Sequence, residues 1–323
     1  MKLGLCCLFA EQPIKYRTTT ATACGRLSDV ERRQKLSRLC WENAVALQQT
    51  IAWCAANGVG AFRVGSQFWP LKTHPTCGYQ LDELPDAAAI LDQLGSCRKL
   101  AVENEVRLSF HPDQFVVLNS PRPEVVANSI AEFEYQAEAA ELIGADVINI
   151  HGGGAYGDKG AALVRLRLNL QLLSPRARQR ITLENDDKIF TPADLLPVCT
   201  DEQIPLCYDV HHHRCLPDAL SIDAVTAAGA KTWAGRDSFV PSSRTPLFHL
   251  SSPLNGWGNP RPQLHHDYID PGDIPPQWLK MQITVDIEAK AKELAIQRLQ
   301  TWLRAQNQPP KPGRLLAPAK RRG

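Results

Sequence analysis

Six segments of this sequence run as short apolar stretches and end on a side chain that binds metal ions well. Half of these side chains are imidazoles and half are carboxylates, namely His111, His151, Glu184, Asp209, His249 and Glu288. Imidazole and carboxylate ligands without a thiolate suit Zn or Mn rather than a sulfur-bound structural site. The sequence therefore predicts a divalent metal centre.

Each of these residues also has an ordinary structural explanation. A single histidine after a strand is more often structural than a ligand, and a single acid there often caps the next helix. Residues two apart on a strand share a face. In five of the six segments the residue two positions earlier is small or polar: Ser109, Asn149, Thr182, Cys207 and Asp286. This alternation favours strands that end together at a wet cavity.

Eight predicted strands would position these side chains. Six end on the candidate ligands, and two more are expected at residues 2–9 and 60–66. Helical patterns lie between them at residues 36–57, 87–104, 123–143, 159–173, 192–199 and 289–305. Alternating strands and helices imply parallel pairing through right-handed crossovers. A count of eight predicts a single α/β domain, a (β/α)8 TIM-type barrel with the metal site at the C-terminal face of the strands.

Composition places the chain among soluble globular proteins. It has 323 residues, of which 44% are hydrophobic and 22% are charged. No apolar run reaches the roughly 18 residues that cross a bilayer, and the apolar start is too short for a secretory signal. Ten cysteines without a Cys-x-x-Cys pair predict reduced, mostly buried thiols and a cytoplasmic location.

Positive charge is concentrated at the C-terminal end. Residues 307–323 contain five basic residues and no acid. The net charge of the whole chain is +2, so the remaining residues together have a charge of 2 − 5 = −3. We expect a barrel domain over residues 1–306 and a flexible, basic, Pro-rich tail over residues 307–323. A basic tail is compatible with a nucleic-acid partner.

Seven motifs in this sequence resemble the UV damage endonuclease family and, more distantly, the endonuclease IV type of abasic-site nuclease. They follow the family order between residues 107 and 294, at 109–116, 149–153, 183–187, 208–212, 249–253, 265–268 and 286–292. The resemblance implies a DNA repair endonuclease that hydrolyses the phosphodiester 5′ of a UV-type lesion by a metal-activated hydroxide. The implied partner is damaged double-stranded DNA, with no membrane and no obligate protein partner.

The resemblance also implies a ligand set for two to three divalent ions, with Mn favoured over Zn or Mg. His111, His151 and Glu184 would hold one ion, and Glu184, Asp209, His249 and Glu288 a second. His212 and His265 would hold a third. Glu184, Glu288 and His249 would be the catalytic residues. Such paired cations activate water and absorb charge on the attacking and leaving oxygens.

Further residues are expected to contact DNA or to support the ligands. Gln114 matches a family glutamine that probes damaged bases, which must leave the stack to be sensed. Three loop residues, Gln67, Trp69 and Trp257, are candidates for stacking on bases or filling the gap, although Trp69 has packing at the barrel rim as an equal alternative. Asp267 is expected to orient a ligand imidazole. Asn185 and Lys290 are expected in supporting roles.

Two positions depart from the family pattern. Leu5 replaces a family tyrosine that acts as a lesion probe, and Leu247 replaces a lysine that is carboxylated near the metals.

Two alternative functions remain open from the sequence. One is a xylose-isomerase-like sugar isomerase or epimerase, which shares part of the ligand set but has no use for the additional histidines. The other is a damaged-DNA-binding protein without catalysis.

Overall fold

The structure, a computed structural model, describes residues 1–236, 242 and 244–306. The strands are β1 (Lys2–Cys6), β2 (Ala61–Val64), β3 (Arg107–Phe110), β4 (Val147–His151), β5 (Ile181–Glu184), β6 (Leu206–Cys207), β7 (Leu247–Leu250) and β8 (Thr284–Ile287). The helices are α1 (Ala21–Gly25), α2 (Asp29–Ala56), α3 (Ala87–Glu103), α4 (Pro123–Ile143), α5 (Lys159–Leu170), α6 (Pro175–Arg178), α7 (Pro192–Asp201), α8 (Val210–Cys215), α9 (Ile222–Ala234) and α10 (Glu293–Gln306).

The strands form one parallel sheet that closes on itself. Their order is β6-β5-β4-β3-β2-β1-β8-β7, and neighbouring strands in this order pair in parallel. An isolated parallel bridge between Asp209 and His249 joins β6 to β7. The predicted (β/α)8 barrel is therefore confirmed. In such a barrel the C-terminal ends of all strands meet at one rim, which is where the candidate ligands lie.

Two apolar clusters support this rim. The main core includes Leu5 on β1 and Ile287 on β8, which are paired neighbours in the sheet. A separate small cluster consists of Val147, Cys207, Leu247 and Trp233. Val147 and Leu247 lie two residues before Asn149 and His249, so this cluster forms the layer below the ligands. Both positions that depart from the family pattern thus hold buried leucines that supply packing.

Several helices differ from the expected pattern, among them α2, α9 and α10. Helix α2 begins seven residues before the predicted residue 36 because Ser28 and Glu31 form a capping box. No helix is expected between residues 199 and 289, yet this part of the chain contains α9, which Ser221 caps. Helix α10 begins at Glu293 rather than residue 289, because Lys292 adopts a left-handed φ of 52° that interrupts helical geometry.

Other predictions concern the cysteines, the membrane and the tail. All ten cysteines are free thiols and eight of them are buried, which confirms that part of the prediction. Among the described residues, no helix is both long and apolar enough to cross a bilayer. The predicted tail, residues 307–323, lies outside the described residues.

Candidate metal centre

The carboxylate of Glu184 is the hub of the centre. It ends β5, is fully buried, and directs its two oxygens at different imidazoles. Oε2 lies 3.0 Å from Nε2 of His111 and 3.9 Å from Nε2 of His151. Oε1 lies 3.1 Å from Nδ1 of His249 and 3.4 Å from Nδ1 of His212. One carboxylate therefore joins two pairs of histidines.

A second carboxylate, Glu288, lies on the other side of His249. Its Oε1 is 3.2 Å from Nδ1 of His249 and 2.5 Å from Nη1 of Arg63. Its Oε2 is 3.8 Å from Nδ1 of His265. Asp209 lies on the same side, in one group with His249 and Glu288. One of its oxygens accepts from the backbone N–H of His212 at 2.7 Å. The other Asp209 oxygen is buried and has no hydrogen-bond partner among the described residues.

These side chains form three overlapping groups in which every candidate ligand atom lies within 4.8 Å of the others. The groups are His111, Glu184 and His249; His151, Glu184 and His212; and Asp209, His249 and Glu288. The donors are nitrogen and oxygen only, which is the chemistry that Zn and Mn accept. The buried Asp209 oxygen without a partner is an acceptor that a cation would satisfy. The residues therefore fit a centre of divalent ions.

Charge within the centre is balanced between acids and imidazoles. Burial alone would raise the pKa of Glu184, but His249 and His151 hold that pKa well below its usual range. Burial would lower the pKa of His249, yet its neighbours, Cys207 and then Glu184 and Glu288, raise it well above the usual value. Asp209 and Glu184 raise the pKa of His212 in the same way. His151 differs, because burial lowers its pKa. These shifts favour the ionised form of Glu184 and the protonated forms of His212 and His249.

Asn185 holds the strand end that carries Asp209. Its side-chain oxygen accepts from the backbone N–H of Asp209 at 3.0 Å, and its Nδ2 donates to the Asp209 carbonyl at 2.9 Å. The backbone oxygen of Asn185 lies 3.0 Å from Nδ1 of His212. Asn185 is therefore in contact with two candidate ligands.

The loop after β4 is fixed by a glycine and an asparagine. Gly153 has a φ of 87°, which favours glycine, and a Cβ there would approach the side-chain oxygen of Asn119 to 2.3 Å. Asn119 donates to the carbonyls of Gly152 and Gly154 at 2.7 and 2.8 Å. This clamp orients the segment that follows His151.

Three of the predicted support and third-ion residues lie at the edge of the centre. His265 belongs to none of the three ligand groups, and its ring centroid is 6.4 Å from that of His212. Asp267, expected to orient an imidazole, has an exposed side chain that makes no hydrogen bond or ion pair within the described ranges. Lys290 is exposed and lines a cavity with His265 and Glu288.

The predicted DNA-contacting residues divide by exposure. Gln114 and Gln67 are exposed. Trp257 is 38% exposed, has its ring centroid 5.1 Å from that of His211, and donates from Nε1 to Asp273 at 2.7 Å. Trp69 is only 1% exposed and packs against Tyr135 at a centroid distance of 5.8 Å. Of the two alternatives for Trp69, packing at the rim is therefore the one that its burial favours.

A cavity of about 750 Å³ adjoins the centre. It is lined by Gln67, Asp113 and the 77% exposed Phe115, among others. Ser66 and Asp113 line both this cavity and a second one, whose lining includes the candidate ligands His111, His151, Glu184, His212 and Glu288. The two spaces are thus neighbours at the same rim.

Sequence reasoning missed Arg63. This residue lies on β2 and forms the close ion pair with Glu288, in which both side chains are 13% exposed. It lines the cavity that holds His111 and Glu184 and also the one beside His265 and Lys290. A charged residue in the otherwise apolar strand 61–64 was the signal that could have found it.

Comparison with known proteins agrees with the geometry. The profile of the UV-endonuclease UvdE family matches residues 1–312. A UV DNA damage endonuclease from Bacillus velezensis is 35% identical over 303 residues, which cover 91% of this chain and 89% of that protein. The crystal structure of SacUVDE matches with a TM-score of 0.79 and 26% identity, covering 95% of this chain and 99% of that one.

A more distant likeness concerns the fold alone. Endonuclease IV from Thermus thermophilus matches with a TM-score of 0.55 and 19% identity, over 80% of this chain and 93% of that one. The family match covers nearly the whole chain, which favours a DNA repair endonuclease over the sugar isomerase considered above. The chain belongs to the UV-endonuclease UvdE family.

Proposed function

We propose that this protein is a divalent-metal-dependent endonuclease that hydrolyses the DNA backbone 5′ of a UV-type lesion. The observation that carries the proposal is the overlap of three ligand groups through Glu184 and His249 at the C-terminal rim of a barrel of this family. Shared ligands bring cations close together, as hydrolysis of a phosphodiester by paired metal ions requires.

The candidate ligands divide between the two oxygens of Glu184. His111 and His151 face Oε2, whereas His249 and His212 face Oε1. Glu184 would thus bridge two ions, with Asp209 and Glu288 completing the second through His249. When bound, such ions lower the pKa of water and neutralise charge on the phosphate. We favour Mn, with Zn or Mg as alternatives that this donor set also accepts.

Other residues would act on the DNA itself. Arg63 lines the ligand cavity and carries a guanidinium, which suits the oxygens of a phosphate. The adjoining cavity of about 750 Å³ offers Gln67 and Phe115 to a base that has left the stack. Gln114 and Trp257, exposed at the same rim, would contact the lesion or the gap that it leaves.

An incision assay tests the proposal. Metal-free protein is incubated with UV-irradiated, abasic and undamaged duplexes while Mn, Zn and Mg are restored one at a time. We expect cuts on the 5′ side of UV lesions, only with metal present, and little cutting of undamaged DNA. If every duplex stays intact with each metal, yet irradiated DNA is bound, the protein is a damage-binding protein and the proposed activity is wrong.

A further inference from the structure

A buried carboxylate that belongs to none of the ligand groups faces the back of His249. Asp286 lies on β8, two residues before Glu288, and is fully buried. Neither of its oxygens has a hydrogen-bond partner among the described residues. Nε2 of His249 is likewise buried without a partner in the described part of the chain, and it lies 3.9 Å from Oδ2 of Asp286. Buried polar atoms in native proteins are normally hydrogen-bonded, so this pair calls for an explanation.

The two nitrogens of His249 face different surroundings. Nδ1 faces Glu184 at 3.1 Å and Glu288 at 3.2 Å, on the side of the candidate metal centre. A neutral imidazole that gives Nδ1 to a metal carries its proton on Nε2, which then acts as a donor. Metal-binding histidines commonly donate this second N–H to a carboxylate, which fixes the orientation of the ring.

The barrel makes room for this carboxylate at one position. Gly4 on β1 pairs with Asp286 in the sheet. A Cβ on residue 4 would lie 2.1 Å from Oδ1 of Asp286, which is closer than two such atoms can approach. Any other residue at position 4 would therefore displace the Asp286 side chain.

Cys207 is a further polar neighbour of His249. Its thiol lies close enough to the imidazole to affect its protonation. A thiol is a weak hydrogen-bond acceptor, whereas a carboxylate is a strong one. Asp286 is therefore the better partner for an N–H at Nε2.

We infer that Asp286 is a positioning residue that accepts the Nε2–H of His249, either after a small shift or through one water, and that Gly4 makes its placement possible. The inference rests on the proposed metal centre. It assigns to Asp286 no contact with substrate and no ligation of metal. Its effect is to hold Nδ1 of His249 in the direction of Glu184 and Glu288.

The test compares Asp286→Ala, Asp286→Asn, Gly4→Ala and Cys207→Ala with the wild-type chain. Affinity for Mn is measured by competition with a chelator, and the visible absorption of the Co(II)-loaded protein reports ligand geometry. We expect Asp286→Ala and Gly4→Ala to weaken metal binding about 10- to 100-fold and to alter the Co(II) spectrum. Asp286→Asn keeps an acceptor oxygen and should retain most of the affinity, and Cys207→Ala should bind as the wild type does.

Several outcomes would overturn the inference. Unchanged affinity and spectrum in Asp286→Ala would remove the role of Asp286, and an equal loss in Asp286→Asn would assign the effect to charge rather than to a hydrogen bond. A loss in Cys207→Ala alone would assign the role to the thiol. Circular dichroism of the metal-free variants checks that each one folds. If Gly4→Ala does not fold, Asp286→Ala still tests the inference, because it introduces no clash. If the wild-type chain binds no metal, the proposed function fails instead.

Discussion

Replacing Glu184 by glutamine removes a charge from the hub of the metal centre while keeping its shape. Four imidazoles lie within 3.9 Å of this carboxylate. Two of them, His212 and His249, have a pKa well above the usual value, partly because of Glu184 itself. The substitution therefore affects both the bound metal and the stability of the metal-free protein.

The stability effect has a magnitude and a pH dependence. Removing one partner from a buried ionic pair costs about 3–5 kcal/mol. The full cost is expected between the ordinary glutamate and histidine pKa values, where the carboxylate is ionised and both imidazoles are charged in the unfolded chain as well. Because the raised histidine pKa values contribute stability that is lost as the pH rises through them, the difference between wild type and Glu184→Gln should shrink at high pH.

The effect on the loaded protein is larger. Two of the three ligand groups contain Glu184, so we expect at least one ion fewer per chain. Loss of a bridging ligand should lower the incision rate about 10³-fold, which corresponds to about 4 kcal/mol of transition-state stabilisation. Metal content is measured by elemental analysis, and the incision rate is measured on an irradiated duplex. The stability of the metal-free protein is measured by urea unfolding after chelation.

Glu134→Gln is the matched control. Glu134 is a half-buried carboxylate that accepts from the backbone N–H of Ser174 at 2.7 Å, away from the metal centre. This variant should keep its metal content and its incision rate. A Glu184→Gln protein that binds the wild-type number of ions and still cuts DNA would refute the bridging role.

Three further predictions follow from the same structure. The pKa values of His212 and His249 lie well above the usual value in the metal-free chain, and an imidazole binds metal in its neutral form, so metal binding should release protons and tighten as the pH rises. Calorimetry in two buffers of different ionisation enthalpy measures this release, and zero release would contradict the prediction. Removing residues 307–323, with their five basic residues, should weaken DNA binding and its salt dependence, whereas an unchanged slope of affinity against salt would show that the tail does not touch phosphates. Trp257→Ala should weaken binding of damaged DNA by about 1–3 kcal/mol, whereas Trp69→Ala, at a buried position, should destabilise the fold by about 3–5 kcal/mol. DNA-binding and urea-unfolding curves of both variants measure these effects. The reasoning is wrong if Trp257→Ala chiefly lowers stability and Trp69→Ala chiefly lowers DNA affinity.

The sequence predicted the barrel and the location of the candidate ligands for a physical reason. Strand ends are marked by local features, because an alternation of period two and a terminal polar residue are both visible in a single segment. Parallel strands then bring their ends to one rim whatever their order in the sheet. Glu184 and His249, 65 residues apart, could therefore be expected to meet.

Contacts that depend on side-chain packing could not be predicted in this way. Asp267 and Asp286 are both acids near candidate ligands in sequence, but only Asp286 is buried beside an imidazole. The burial of Trp69 depends on Tyr135, which lies 66 residues away and leaves no local signal in the sequence. Helix α9 was missed because its flanking loops obscure the pattern, although Ser221 caps it.

The balance of charge explains how such a concentration of acids can be folded before any cation binds. Glu184, Asp209 and Glu288 are largely buried, and unpaired buried charges cost several kcal/mol each. In the metal-free chain, Arg63 supplies opposite charge, and so do His212 and His249, whose pKa values lie well above the usual value. Because both imidazoles would lose their protons when divalent cations bind, part of the positive charge that the ions bring would be offset by the protons that leave. These protons therefore balance the acids in the metal-free chain, and bound cations would take over that role.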